Sequence, residues 1–242
     1  VLEGDGKIVN TSGPAIRNSG TLVIRGGLYS PQVIQTAVGS MQISGGTFEA
    51  GVADTSALSN EGGSLSALLA EGITLTYGTE LVNVYTENAT RKNGRVYAVP
   101  HQHQLSAENG YSCACGYVPA ALVTAGEQTS YFHSLGNALS HAAAHSGATL
   151  QLLQDITLPQ GENLTIDSGT LTIWWNGHTL NADAAGYALA VTGSAQVTLS
   201  GDGGIRNTGP ALVFSAFGSL TITGEVLVTV TASVVIMAAL TW

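Results

Sequence analysis

Gly20-Thr21-Leu22-Val23-Ile24-Arg25-Gly26-Gly27-Leu28-Tyr29 returns 19 residues later as Gly39-Ser40-Met41-Gln42-Ile43-Ser44-Gly45-Gly46-Thr47-Phe48. Each copy reads as a small residue, a short β-prone run, a Gly-Gly pair, then one residue followed by an aromatic. Such self-similarity marks stacked repeats, in which neighbouring turns bury each other's apolar side chains and a single turn cannot fold alone. The Gly-Gly pairs fit solenoid turns, where positive φ or close backbone approach excludes a side chain.

A longer repeat surrounds the short one. Ile8-Val9-Asn10-Thr11-Ser12-Gly13-Pro14-Ala15-Ile16 reappears, one residue shorter, as Ile205-Arg206-Asn207-Thr208-Gly209-Pro210-Ala211-Leu212, an offset close to 197. Each copy is followed by a Thr-Leu-Val-Ile or Ser-Leu-Thr-Ile strand. The expectation is a chain that begins inside one copy of a large module and ends inside the next, cut from a longer parent with several such modules.

Composition supports an all-β repeat protein. Of 242 residues 44% are hydrophobic, 10% are charged and 31 are glycine, which argues against a highly charged disordered chain. Few segments carry a 3.6-residue apolar period, which argues against an all-helical one. Seven Lys+Arg against 16 Asp+Glu give a formal net charge of -9, so nucleic acid and anionic membrane surfaces are unfavourable partners. Neutral glycans, cationic surfaces and other proteins remain as partner classes. The N-terminal residues show neither the basic nor the apolar region of a signal peptide. The uncharged run Val226 to Trp242 is 17 residues and rich in Val and Thr; it reads as strands or a terminal cap rather than as a membrane-spanning helix.

Three segments follow: β-helix rungs over 1–60, an insertion over 61–130, and a second β-helix segment over 131–242. In the insertion, Ser64 to Gly72 reads as a short helix with a Ser cap and a Gly stop. The runs 73–77, 81–85 and 95–99 read as short strands. The second segment opens with a predicted capping helix over 134–145. Leu135, Ala138, Leu139 and Ala142 form its one apolar stripe, suited to covering the exposed end of a strand stack. Strands then arrive regularly, with Gly, Asn, Asp or Ser in nearly every gap.

Residues 131–224, including Leu150-Gln151-Leu152-Leu153-Gln154-Asp155-Ile156, Leu164-Thr165-Ile166-Asp167-Ser168-Gly169 and Asn176-Gly177-His178-Thr179-Leu180, resemble the right-handed parallel β-helix repeats of large secreted or wall-attached bacterial surface proteins. They look like the pectate-lyase-like superfamily in its non-catalytic, repeat-rich form. The likeness is partial over residues 8–50, and in the middle it rests on Leu68 to Gly72 and a His/Cys knuckle. Trp174-Trp175 departs from the family's pattern before Asn-Gly. The resemblance implies an all-β, right-handed parallel β-helix with a short capping helix and a small α/β insertion. It also implies an extracellular, secreted or cell-surface location and a structural or interaction role, that of an adhesin-like stalk or display scaffold.

The sharpest chemical constellation is His101-Gln102-His103 with Cys113-Ala114-Cys115, two imidazoles and two thiols within 15 residues. A turn at Glu108-Asn109-Gly110 could fold the pairs together into a tetrahedral structural zinc site. Unbridged thiols beside solvated histidines, or a Cys113–Cys115 disulfide in a small strained ring, fit the same residues. His141 and His145, four apart on the predicted helix, lack the intervening Glu of a zinc protease and read as solvated.

No catalytic residues are expected. Asp155, Asp167, Asp183 and Asp202 fall in separate turns, and Arg206 is the only basic residue after Arg95. The family's lyases and hydrolases group their acids on one face, often with calcium and a basic residue. No Gly-x-Ser-x-Gly, phosphate-loop or dinucleotide motif is present either. Trp174 and Trp175 are candidates for stacking on a sugar; being consecutive on a strand, one points inward and the other outward. Carbohydrate binding or processing on a β-helix face is therefore the alternative function.

Overall fold

The computed structural model describes residues 1–51, 54–209, 212–214 and 219–230. The chain divides into two compact units, Val1–Tyr117 and Val118–Trp242. Both contain stacked parallel coils of a β-solenoid, a parallel β-helix.

The first unit opens with eight short strands: Lys7–Val9 (β1), Ile16–Asn18 (β2), Thr21–Ile24 (β3), Leu28–Ser30 (β4), Val33–Gln35 (β5), Ser40–Ile43 (β6), Gly46–Glu49 (β7) and Leu58–Asn60 (β8). None pairs with its neighbour in sequence. β1 to β5 each pair in parallel with the strand three further on, giving the faces β1-β4-β7, β2-β5-β8 and β3-β6. The 19-residue repeat is thus the rise from one coil to the next. Thr21 lies beside Ser40, Ile24 beside Ile43 and Tyr29 beside Phe48. Ile24, Ile43 and Phe48 are fully buried, so each repeat contributes the same inward positions.

The two glycines of each pair have different duties. A Cβ on Gly26 would sit 2.8 Å from the carbonyl oxygen of Gly4, and one on Gly45 would sit 2.7 Å from that of Arg25, so these positions admit the adjacent coil's backbone. Gly27 and Gly46 instead hold φ of +94° and +120°, where side chains are strained. At another corner Asn18, Gln35 and Asn60 stand in register. Asn18 Nδ2 donates to Gln35 Oε1 at 2.6 Å and Gln35 Nε2 donates to the carbonyl of Thr36 at 2.7 Å, so these amides satisfy one another and the turn backbone.

Beyond β8 the regular coil stops. Leu65–Leu68 form one 3-10 turn where a longer helix was expected over 64–72. Leu69 returns to extended backbone and bridges Ile43, which ends the turn. Ile73–Tyr77 (β9), Glu80–Leu81 (β10) and Arg95–Pro100 (β11) make an antiparallel group, with Val96 of β11 beside Phe48 of β7. The strand expected over 81–85 stops at Leu81. The next residues bond instead to the knuckle and to the 3-10 turn, with the Val84 amide reaching the carbonyl of Cys115.

The second unit begins with an antiparallel hairpin, Ala121–Ala125 (β12) and Gln128–Phe132 (β13); β12 lies in the middle segment of the sequence reading and β13 crosses its end. Its single helix among the described residues is Leu135–Ala143 (α1), where Ser134 Oγ accepts the Asn137 amide at 3.3 Å. Leu135, Ala138, Leu139 and Ala142 are its buried residues, the expected stripe. The coils follow: Ala148–Leu152 (β14), Ile156–Thr157 (β15), Leu164–Ile166 (β16), Thr170–Trp174 (β17), Thr179–Ala182 (β18), Leu189–Val191 (β19), Gln196–Ser200 (β20), Gly203–Asn207 (β21), Leu212–Phe214 (β22), Ser219–Thr223 (β23) and Val226–Val230 (β24).

Here too every third strand pairs in parallel: β14-β17-β20-β23, β15-β18-β21-β24 and β16-β19-β22. Leu150, Ile173 and Leu199 stack in one buried row and Leu171, Val197 and Leu220 in the next. Each such residue contributes roughly 1.5–3 kcal/mol of burial. β12 covers the outer edge of β14, with Leu122 beside Gln151. The long repeat places Ile8 and Ile205 on β1 and β21, and Ile16 and Leu212 on β2 and β22, successive strands in both units. Of the apolar C-terminal run, 226–230 is strand; the rest of that expectation lies outside the described residues. Among the described residues no helix is long and apolar enough to cross a membrane.

Candidate metal centre

The centre forms where β11 runs out of its ladder. After Pro100 the chain bonds once more, His101 amide to Gly72 carbonyl at 2.8 Å, and then reverses. The reversal is local chemistry. Ser106 and Asn109 make a capping box around the 3-10 turn Ala107–Asn109, in which the Ser106 amide donates to Asn109 Oδ1 at 2.9 Å. Asn109 Nδ2 also donates to the Gln104 carbonyl at 2.9 Å. Gly110 takes φ +62° to end the turn, and Tyr111 follows at φ +58°. The two cysteines therefore come back alongside the two histidines, through the Glu108-Asn109-Gly110 turn that the sequence points to.

The cysteines sit on a tight knuckle. The Cys113 amide donates to the Tyr117 carbonyl and the Gly116 amide to the Cys113 carbonyl, each at 2.8 Å. Gly116 has φ +89°, and a Cβ there would lie 1.8 Å from Asn83 Oδ1, so both conformation and space demand glycine. His101 Nε2 stands 3.2 Å from Cys113 Sγ, and His103 Nδ1 stands 3.4 Å from Cys115 Sγ. One ligand atom from each of the four residues lies within 4.8 Å of every other. A tetrahedral ion with metal–N near 2.0–2.1 Å and metal–S near 2.3 Å would separate N from S by about 3.5 Å. The four residues converge closely enough to hold a metal ion.

Burial acts on two members of the cluster, His101 and Cys115. Both cysteines are buried and unbridged. Burial, with the adjacent Cys113 thiol, pushes the Cys115 thiol up to about 11. Burial also lowers the pKa of His101. The thiolate is both the nucleophile and the metal ligand, so binding an ion here must displace the Cys115 proton, while the neutral imidazole of His101 is ready to ligate.

An aromatic frame supports the centre, and the sequence reading missed it. The His103 ring stacks on Tyr117 at 4.0 Å and 19°, and Tyr85 tilts against Tyr117 at 5.4 Å. Desolvation raises the Tyr85 phenol to about 12 and raises Tyr117 as well. Tyr117, two residues after Cys115, was a signal within reach; Tyr85 reaches the knuckle only through the tertiary fold.

The other candidates are placed as follows. The rings of His141 and His145 are tilted at 34° with centroids 4.4 Å apart, and His145 Nδ1 lies 2.8 Å from the His141 carbonyl oxygen. Neither belongs to a cluster of three or more potential ligands among the described residues. Asp155 accepts the Thr179 amide and pairs with His178 at 3.4 Å, and Asp183 accepts from Thr208, so both carboxylates engage neighbouring coils. Trp174 is 40% exposed and Trp175 is 1% exposed; the outward ring is Trp174, while Trp175 packs in the core and offers no face to a ligand. Trp174 lies across the next coil: a Cβ on Gly201 would meet its Cδ1 at 2.4 Å. The chain matches no family model, and no curated protein or solved structure is significantly similar to it.

Proposed function

We propose that this chain is a structural and interaction module of a secreted or surface-displayed bacterial protein, an adhesin-like stalk or display scaffold, and that it performs no catalysis. The observation that carries the reading is the in-register stacking of three-strand coils in both units. Each coil adds one short strand to each face, so stiffness and reach grow by repetition while each added strand pairs with the one before it. The carboxylates that a lyase would gather in one groove serve turn contacts here, as at Asp155 and Asp183. The test has two arms. Incubation with neutral and acidic polysaccharides should release no reducing ends or unsaturated products, and immunogold labelling of cells producing the parent protein should decorate their surface. Turnover of any of these polymers, or labelling confined to the cytoplasm, overturns the reading.

In this reading the ion at His101, His103, Cys113 and Cys115 is structural zinc. A donor set of two imidazoles and two thiolates suits a borderline-soft, tetrahedral ion, and four protein ligands leave no position open for substrate water. About one zinc per purified chain is expected on metal analysis; a clearly substoichiometric content that added zinc does not raise removes the assignment.

One observation favours neutral carbohydrate as a second reading. Strands β14, β17, β20 and β23 contain no charged residue. Thr149, Thr172, Thr198 and Thr221 stand in register along their face, and Trp174 projects beside them. A flat, uncharged row of hydroxyls flanked by an aromatic suits a neutral polyhydroxylated chain. Gel retardation by a neutral β-glucan, lost in Trp174→Ala, supports that reading; identical mobility with and without glucan removes it.

A further inference from the structure

We infer that the ion at the His/Cys knuckle is the bolt of an end cap: it holds down a strap, residues 82–90, that closes the last coil of the first unit. The inference rests on the assignment of zinc to that knuckle and adds what the ion does there.

A β-solenoid that simply stops exposes a row of unpaired amides and carbonyls on each face, together with its apolar interior. In the first unit all three faces are closed beyond the last coil, each by a different device. The edge of β7 is covered by β11. The edge of β6 is covered by the chain after the 3-10 turn, where Leu69 bridges Ile43 and the Ala70 amide donates to the Ile43 carbonyl at 2.8 Å. The edge of β8 is covered by the strap. The Asn60 amide donates to the Asn88 carbonyl at 2.7 Å, and the Thr90 amide donates to the Leu58 carbonyl at 2.9 Å. Thr90 Oγ1 accepts the amides of Ala57 and Leu58 at 3.0 and 3.1 Å. Farther along, the strap takes the Leu65 amide on the Glu87 carbonyl and the Ser66 amide on the Val84 carbonyl.

The strap has no ladder of its own, since β10 ends at Leu81. Its first half is held at Val82 by the Leu75 carbonyl of β9, at 2.9 Å, and beyond Val82 by the knuckle. The Val84 amide donates to the Cys115 carbonyl at 3.0 Å, Tyr85 packs on Tyr117, and Gly116 fits against Asn83. Val82 and Val84 are buried in the core of the unit, so a displaced knuckle would draw apolar side chains out with the strap. The knuckle in turn has little core to rely on: its own cluster of buried residues is Cys113, Cys115 and Tyr117. A loop with so few buried apolar groups needs a cross-link, and a four-ligand ion supplies one. The order of support therefore runs from ion to knuckle, to Val84 and Tyr85, to the strap, to the edge of β8.

Hydrogen exchange on the full 242-residue chain tests this, comparing zinc-loaded protein, chelator-treated protein and chelated protein given zinc chloride again. Peptides covering 57–66 and 82–90 should exchange roughly tenfold faster or more after chelation and recover with zinc, while peptides from β17 and β20 keep their protection. Tyr85→Ala retains all four ligands, so it should bind zinc yet show raised exchange at 57–66 even when loaded. Cys113→Ser should match the chelated wild type, and His141→Ala the loaded one. If added zinc is not bound at all, the zinc assignment fails. If zinc binds one per chain but 57–66 and 82–90 stay equally protected after chelation, the zinc assignment stands and the bolt is overturned.

Discussion

The ring of Tyr29 stacks on that of Phe48, with centroids 5.5 Å apart and planes at 19°. The two residues occupy equivalent places in successive coils, in register on β4 and β7. Tyr29 also donates its hydroxyl to the Gly26 carbonyl at 2.6 Å, tying the aromatic to the Gly-Gly turn three residues before it. Phe48→Ala removes a fully buried ring from between two coils and should cost about 3–5 kcal/mol. Tyr29→Phe keeps the stack and loses one hydrogen bond, about 0.5–1.5 kcal/mol. Urea titration followed by far-UV circular dichroism orders the two; equal effects would mean that the stack contributes nothing beyond the hydroxyl bond.

The amide row makes a different demand. Gln35 is buried, and it bonds both to Asn18 on the coil before it and to its own turn. Gln35→Leu keeps the volume but leaves the Thr36 carbonyl without that donor and Asn18 without that acceptor, an expected loss of about 1–3 kcal/mol. Asn18→Ala, at the half-buried end of the row, should cost less. A reversed order in thermal melts would show that the row is decoration.

Two glycines, both at positive φ, stand in different surroundings. Gly161 has φ +81° with open space around it, while Gly203 has φ +122° and a Cβ there would lie 2.2 Å from the His178 carbonyl oxygen. Gly161→Ala should cost about 1 kcal/mol through conformation alone. Gly203→Ala must also push two coils apart and should lower the melting temperature by clearly more. Equal shifts would mean that the coils yield freely at that corner.

These contrasts show what was legible in advance. The 19-residue repeat gave the pairing partners of Thr21, Ile24 and Tyr29, because in a solenoid sequence period and strand register are one quantity. The helix at 135–143 was legible because its stripe is local. The histidine and cysteine pairs were legible as ligand types, and the reversal between them as a turn. The strap was not legible: Val82-Asn83-Val84-Tyr85 alternates like a strand, yet the Val84 amide is claimed by Cys115, a residue distant in sequence. The Ser64–Gly72 helix shortened to one 3-10 turn for the same reason, since bonding of Leu69 and Ala70 to Ile43 outweighed a weak helical propensity.

Trp174 and Trp175 are chemically alike and one residue apart, and their substitution should have opposite consequences. Trp174 is outward and its indole rests on Gly201, so Trp174→Ala should change stability by less than about 1 kcal/mol. Trp175 is buried in the second unit's core, and Trp175→Ala should cost about 3–5 kcal/mol. Its Nε1 is buried without a hydrogen-bond partner among the described residues, so part of its packing gain is already offset by an unsatisfied donor. Trp175→Phe removes that donor with the outer ring and should recover a substantial part of the alanine loss. Chemical denaturation of the three variants checks the order, with Trp175→Ala lowest, Trp175→Phe intermediate and Trp174→Ala near wild type. A Trp175→Phe as unstable as Trp175→Ala would mean that cavity volume alone governs this site.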